Sequence, residues 1–113
     1  MILNVSIDEQ QIPVNVPDKL LQEAEEFFTK MDQDMNKGWQ MHRDWVDNPQ
    51  LLGRCQIVAD KLLTAVVNKN SHMSALMAGY ILTRLPGVIS TDIDTSGNMQ
   101  ETHFYDELGN TMM

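Results

Sequence analysis

A chain of 113 residues with 42% apolar and 21% charged residues can bury a core without disulfides or a structural metal, which points to one folded domain rather than a disordered chain. Sixteen acidic against eight basic residues give a net charge of −8, which repels phosphate backbones and argues against a nucleic-acid role. Cys55 is the only cysteine, no apolar run reaches the roughly 18 residues of a membrane span, and the opening MILNVSIDEQ has no basic leader, so a cytoplasmic protein away from membranes is expected.

Residues 1–16 carry two alternating apolar runs, Leu3, Val5, Ile7 and Ile12, Val14, Val16, divided by Asp8-Glu9-Gln10-Gln11, the pattern of a β-hairpin with one buried face. Pro13 cannot donate to a ladder, so the second strand is expected at an edge. Pro17 and Asp18 suit a helix start, and Leu20, Ala24, Phe27, Phe28, Met31 and Met35 follow helical spacing up to a stop at Gly38. A loop is expected from Gly38 to Asn48. Asn48-Pro49 then reads as a cap and first turn for a second helix reaching about Val67, whose wide apolar surface predicts contact on more than one side. Ser71 is a candidate cap for a third helix that Pro86-Gly87 ends, and Ala75 and Gly79 on it permit close approach of another backbone. Val88 to Phe104 reads as a second hairpin turning at Thr95-Ser96-Gly97-Asn98. The fold class is therefore α+β: an N-terminal β-hairpin, a three-helix block and a C-terminal β-hairpin, forming one small antiparallel or mixed sheet with helices on one face. Residues 1–105 form the expected domain, and 106–113 a fraying tail.

Two segments resemble the start of a calcium loop, which needs oxygen ligands at its first, third and fifth positions. Asp32, Asp34 and Asn36 supply them in the first, but Lys37 and Arg43 stand where glycine and a bidentate glutamate belong. Asp92, Asp94 and Ser96 supply them in the second, with Gly97 correctly sixth but His103 twelfth, after β-branched residues rather than a helix. The alternatives are a solvated helix end and an ordinary hairpin turn; the strongest claim the pattern supports is weak divalent-cation binding, with no other cofactor.

The segment Trp39, Met41, His42, Arg43 and Trp45 combines residue types enriched at the centres of protein interfaces, which makes it the candidate interaction surface. The competing expectation is that both tryptophans cover the core and Arg43 pairs with Asp44 or Asp47. Nine methionines suggest an adaptable binding surface or a dimer contact, and Met31, Met35, Met41 and His42 could present soft ligands to copper, though Met31 and Met35 also continue an apolar stripe. Local signatures of a catalytic triad, a Cys/His pair or a phosphate loop are absent, and Cys55 is expected to be buried and inert. The residues thus favour a non-enzymatic protein-interaction or self-associating module, with a basic protein or a second copy as partner. Cation binding is the alternative, and a small enzyme with a site assembled around His42 or His103 is the third reading.

Overall fold

A computed structural model describes residues 1–112. Strands β1 (Ile2–Ile7) and β2 (Gln10–Asn15) form the expected antiparallel hairpin, with Val5 opposite Ile12 and a turn in which Asp8 and Glu9 both take positive φ. Leu3, Val5, Val14 and Val16 are buried on its inner face. Strand β2 is an edge, as Pro13 requires.

The single helix expected next is two, α1 (Asp18–Glu23) and α2 (Glu25–Met35), separated by a bend at Ala24 where φ is −93° and ψ is 0°. The bend lets Leu21 of α1 and Phe28 of α2 converge on one small residue. A Cβ built on Gly79 would lie 3.1 Å from Phe28 Cζ, 3.2 Å from Leu21 Cδ2 and 3.4 Å from Val16 Cγ1. Gly79 thus admits side chains from α1, from α2 and from the residue that follows β2 rather than another backbone, and the fully buried Phe28 ring is the largest of them.

Residues 39–46, expected as loop, form a second short hairpin of β3 (Trp39–Met41) and β4 (Asp44–Val46). Helix α3 (Leu51–Val67) follows and is buried on several sides, with Cys55, Ile57, Val58, Ala59 and Leu62 all shielded from solvent. Asn48 does not cap it: the residue takes φ +48° and its Oδ1 accepts from Arg54 Nη2 at 2.8 Å. Helix α4 (Ser71–Arg84) packs along α3 and is capped by Asn70, not Ser71, with Asn70 Oδ1 accepting from the Met73 amide at 3.1 Å.

Strand β5 (Val88–Asp92) then pairs parallel to β1, and β6 (His103–Asp106) pairs antiparallel to β5, so the mixed sheet runs β2-β1-β5-β6. A parallel neighbour for β1 demands a long crossover, and the helices supply it. The turn between β5 and β6 is longer than a tight hairpin. Asp94 Oδ2 accepts from the Ser96 amide, Ser96 Oγ and the Asn98 amide at 2.8 to 3.0 Å, and a 3₁₀ turn over Met99–Glu101 delays the return strand. Gln56 Nε2 on α3 donates to the carbonyls of Gln100 and Thr102 at 3.1 and 3.2 Å, fastening that return to the central helix.

The segment expected to fray instead turns back on β6. Asp106 Oδ1 accepts from the Leu108 and Asn110 amides, Thr111 bridges Tyr105, and the Met112 amide donates to the Phe104 carbonyl at 2.8 Å. Met113, the last residue of that segment, lies outside the described residues. The α+β class with hairpins at both ends stands; among the described residues the α-helices number four, and a small second sheet is added. The Cα radius of gyration of 13.0 Å matches the roughly 13 Å expected of one compact domain this size.

Candidate functional site

The hairpin β3–β4 divides the expected interaction residues between two faces. Side chains alternate along a strand, so Trp39 and Met41 face inward while Trp45, opposite Gln40, faces out. Met41 is buried with 2% exposure and belongs to the core, not to the interaction surface expected for it. His42 and Arg43 form the turn, His42 at φ +57°, and both are exposed. Trp45 is 59% exposed but held: its Nε1 donates to Asp47 Oδ1 at 2.8 Å, so Asp47 serves the indole. The ring lies over Gly38, where φ is +98° and a Cβ would come within 2.5 Å of Trp45 Cζ2.

Half-buried Trp39 opens onto a hollow of about 440 Å³ between α2 and α3. Its α2 wall is Phe27, Met31 and Asp34, its α3 wall is Asp60, Lys61 and Thr64, and Met73 of α4 closes one side. Met35 and Met77, each 2% exposed, form the floor. The spacing 27, 31, 35 is one helical stripe. It reads as core in the sequence, yet Phe27 stays 41% exposed where it lines the open hollow. The Lys61 ammonium sits 4.8 Å from the centre of the Trp39 ring, where the ring's negative face favours it.

Asp32, expected in an acidic loop, is a helical residue that pins α2 to both long helices. Its Oδ1 accepts from the Tyr80 hydroxyl and lies 3.3 Å from Arg54 Nη1, and its Oδ2 accepts from Arg84 Nε at 3.0 Å. Arg54 also donates through Nε to the Pro49 carbonyl at 2.6 Å and through Nη2 to Asn36 Oδ1, while Arg84 reaches Glu25 at 3.0 Å. Arg84's guanidinium lies over Phe28 and Tyr80, whose rings meet edge to face at 5.9 Å. Burial pushes the Asp32 carboxyl up, but the hydrogen bonds from Tyr80 and Arg84, the Arg84 charge and the Arg54 contact outweigh it, so its pKa lies below the ordinary carboxylate value. Burial first, and then the hydrogen bond to Asp32, raises the Tyr80 pKa.

The two acidic segments therefore have different fates. Asp32 and Asn36 are occupied by arginine, and only Asp34 of the first set faces the hollow. In the second, Asp94 folds its own loop through Ser96. Asp92 lies on β5, beside a shallow hollow of about 250 Å³ whose other carboxylates are Asp8, Glu9, Asp94 and Glu101. Among the described residues, no three histidine, cysteine, aspartate or glutamate side chains converge closely enough to hold a metal ion. Burial, with the Asp32 charge in support, pushes the Cys55 thiol up to about 12, so it is protonated at neutral pH. His42, His72 and His103 are exposed and lie apart in the chain, in the β3–β4 turn, on α4 and on β6.

Sequence reasoning missed the two arginines. A signal existed for Arg54, which shares a helical stripe with Leu51 and the buried Val58, a place where a charge needs a partner. Asp60, Lys61, Met73 and Met77 carried no signal as a group, because the hollow exists only once α2 crosses the α3–α4 pair. No family model, curated protein or solved structure matches the chain.

Removing the Asp32 carboxylate takes the acceptor from the Tyr80 hydroxyl and one partner from each of Arg54 and Arg84, which keep their others, and Asp32→Ala is expected to destabilise the fold by about 2–3 kcal/mol, less than for a fully buried pair because a quarter of the side chain is exposed. Because the folded-state pKa is lowered, this stability is complete above about pH 4 and disappears as pH falls through the depressed value. Thermal melts should show the gap between wild type and Asp32→Asn widest near neutrality and closing in acid. A pH-independent gap would contradict the assignment.

Proposed function

We propose that this protein is a small, acidic, non-enzymatic interaction module that docks a protein partner in the hollow between α2 and α3. The observation that carries the reading is the lining itself: an open hollow of about 440 Å³ walled by Phe27, Met31, Trp39 and Met73 over a floor of Met35 and Met77. Unbranched thioether side chains re-pack around different apolar surfaces at small expense, which suits them to docking. Trp45, His42 and Arg43 stand exposed on the adjoining hairpin and extend the contact surface beyond the hollow. A reducing, cytoplasmic setting fits a chain whose one thiol is buried and unpaired. Among the described residues, no helix is long and apolar enough to cross a membrane.

Weak divalent-cation binding has less support, because a cation seeking Asp32 must displace two guanidinium groups. The acidic hollow beside Asp92 is the remaining place for it. A saturable, calcium-dependent rise in melting temperature would favour that alternative.

A neutral naphthalene dye whose emission rises in apolar surroundings tests the docking reading. The native protein is expected to bind it saturably, and Met31→Lys or Met73→Lys, both at partly exposed positions, should weaken binding by about tenfold or more while the melting temperature stays near wild type. Absence of saturable binding, or equal binding by both folded variants, would refute the reading.

A further inference from the structure

The edges of the four-stranded sheet narrow the mode by which a partner binds. Strand addition needs a free edge, but β2 carries Pro13 and β6 is covered by Thr111 and the Met112 amide. The methionine hollow, in contrast, is a trough between helices. Its α2 side from Phe27 to Met35 rises through eight residue steps, about 12 Å, which matches two turns of a docked helix at about 11 Å. That is the reach of anchors spaced i, i+4 and i+7.

Charge selects among helices. Asp34 on the α2 wall and Asp60 on the α3 wall place a carboxylate on each side of the trough. The one lysine among the lining residues, Lys61, is drawn onto the face of Trp39. The chain as a whole carries −8, so its long-range field attracts cations and repels anions, including a second copy of itself. We infer that the occupant of the trough is a basic amphipathic helix, with an apolar stripe seated on the methionines and lysine or arginine flanks meeting Asp34 and Asp60. This rests on the docking reading above and adds the partner's chemistry to it.

The test uses the full chain labelled at its methionine methyl groups and three synthetic peptides of about four helical turns. One is an amphipathic leucine/lysine helix, one is its leucine/glutamate counterpart, and one is a scrambled leucine/lysine sequence with no apolar face. The leucine/lysine helix is expected to shift the Met31 and Met73 methyl resonances saturably and to bind at least about tenfold tighter than either control. Binding should weaken several-fold as salt rises from about 0.05 to 0.5 M. Asp34→Lys, at an exposed position, should lower the affinity for leucine/lysine and raise it for leucine/glutamate; Asp60→Lys gives the same check from the other wall.

If the dye fills the hollow but the leucine/glutamate peptide binds as well as leucine/lysine, or no peptide moves the methyl groups, the hollow is a docking site and the inference about its occupant is wrong. Equal binding of the scrambled peptide reduces the effect to charge attraction and also overturns it. Concentration-dependent shifts of the same methyl groups without peptide assign the trough to a second copy, which overturns it too. If dye and peptides both fail, the docking reading falls with it.

Discussion

The architecture depends on one carboxylate. Asp32 accepts from Tyr80 and Arg84 of α4 and pairs with Arg54 of α3, so a single side chain on the short helix α2 fixes its position against both long ones. Helix α2 buries only Phe28 and Met35, too little apolar surface to orient an eleven-residue helix uniquely. Directional hydrogen bonds supply what the apolar contacts lack. They also explain why two arginines sit well inside the molecule without leaving any fully buried side-chain polar atom unsatisfied among the described residues.

The clamp and the hollow are two consequences of one crossing. On α3, Lys61 lies seven residues beyond Arg54; on α4, Met73 and Met77 lie seven residues before Tyr80 and Arg84. Seven residues are about 10 Å of helix, so α3 and α4 carry the clamp and the trough about two turns apart, while on α2 Asp32 sits between the trough residues Met31 and Asp34. The sheet contributes by being closed: its inner face is buried in the core, and its edges are blocked by proline and by the returning C-terminal segment. On the helical side, the trough combines unburied apolar surface with room for a partner.

The parts legible in the sequence are those written in local patterns. Period-two alternation in residues 2–16, the proline in β2 and the broad apolar surface of α3 all lead to what the structure contains. The bend at Ala24 was not legible, because Leu20, Ala24, Phe27 and Phe28 fit one continuous helix; the break is dictated by Gly79, fifty-five residues away, admitting Leu21 and Phe28 together. The hairpin β3–β4 was missed because its strands are only three residues long, too short for alternation to register. For the same reason Met41 could not be told from Trp45 as core or surface until the pleat was known. The acidic pattern at Asp32, Asp34 and Asn36 signalled a cluster of oxygen atoms correctly, but their partners were cations already present in the chain, Arg54 and Arg84, brought in from distant positions.

The central claim is that the Asp32 clamp holds the trough in shape. The most direct measurement is the methionine methyl spectrum of Asp32→Ala, recorded well below its melting temperature. Loss of the clamp should move or broaden the Met31, Met35 and Met77 resonances around the trough while Met1, in a separate hollow beside Val88 and Leu108, keeps its position. A folded variant whose trough methyl groups are unchanged would show that packing alone positions α2, and would contradict the account.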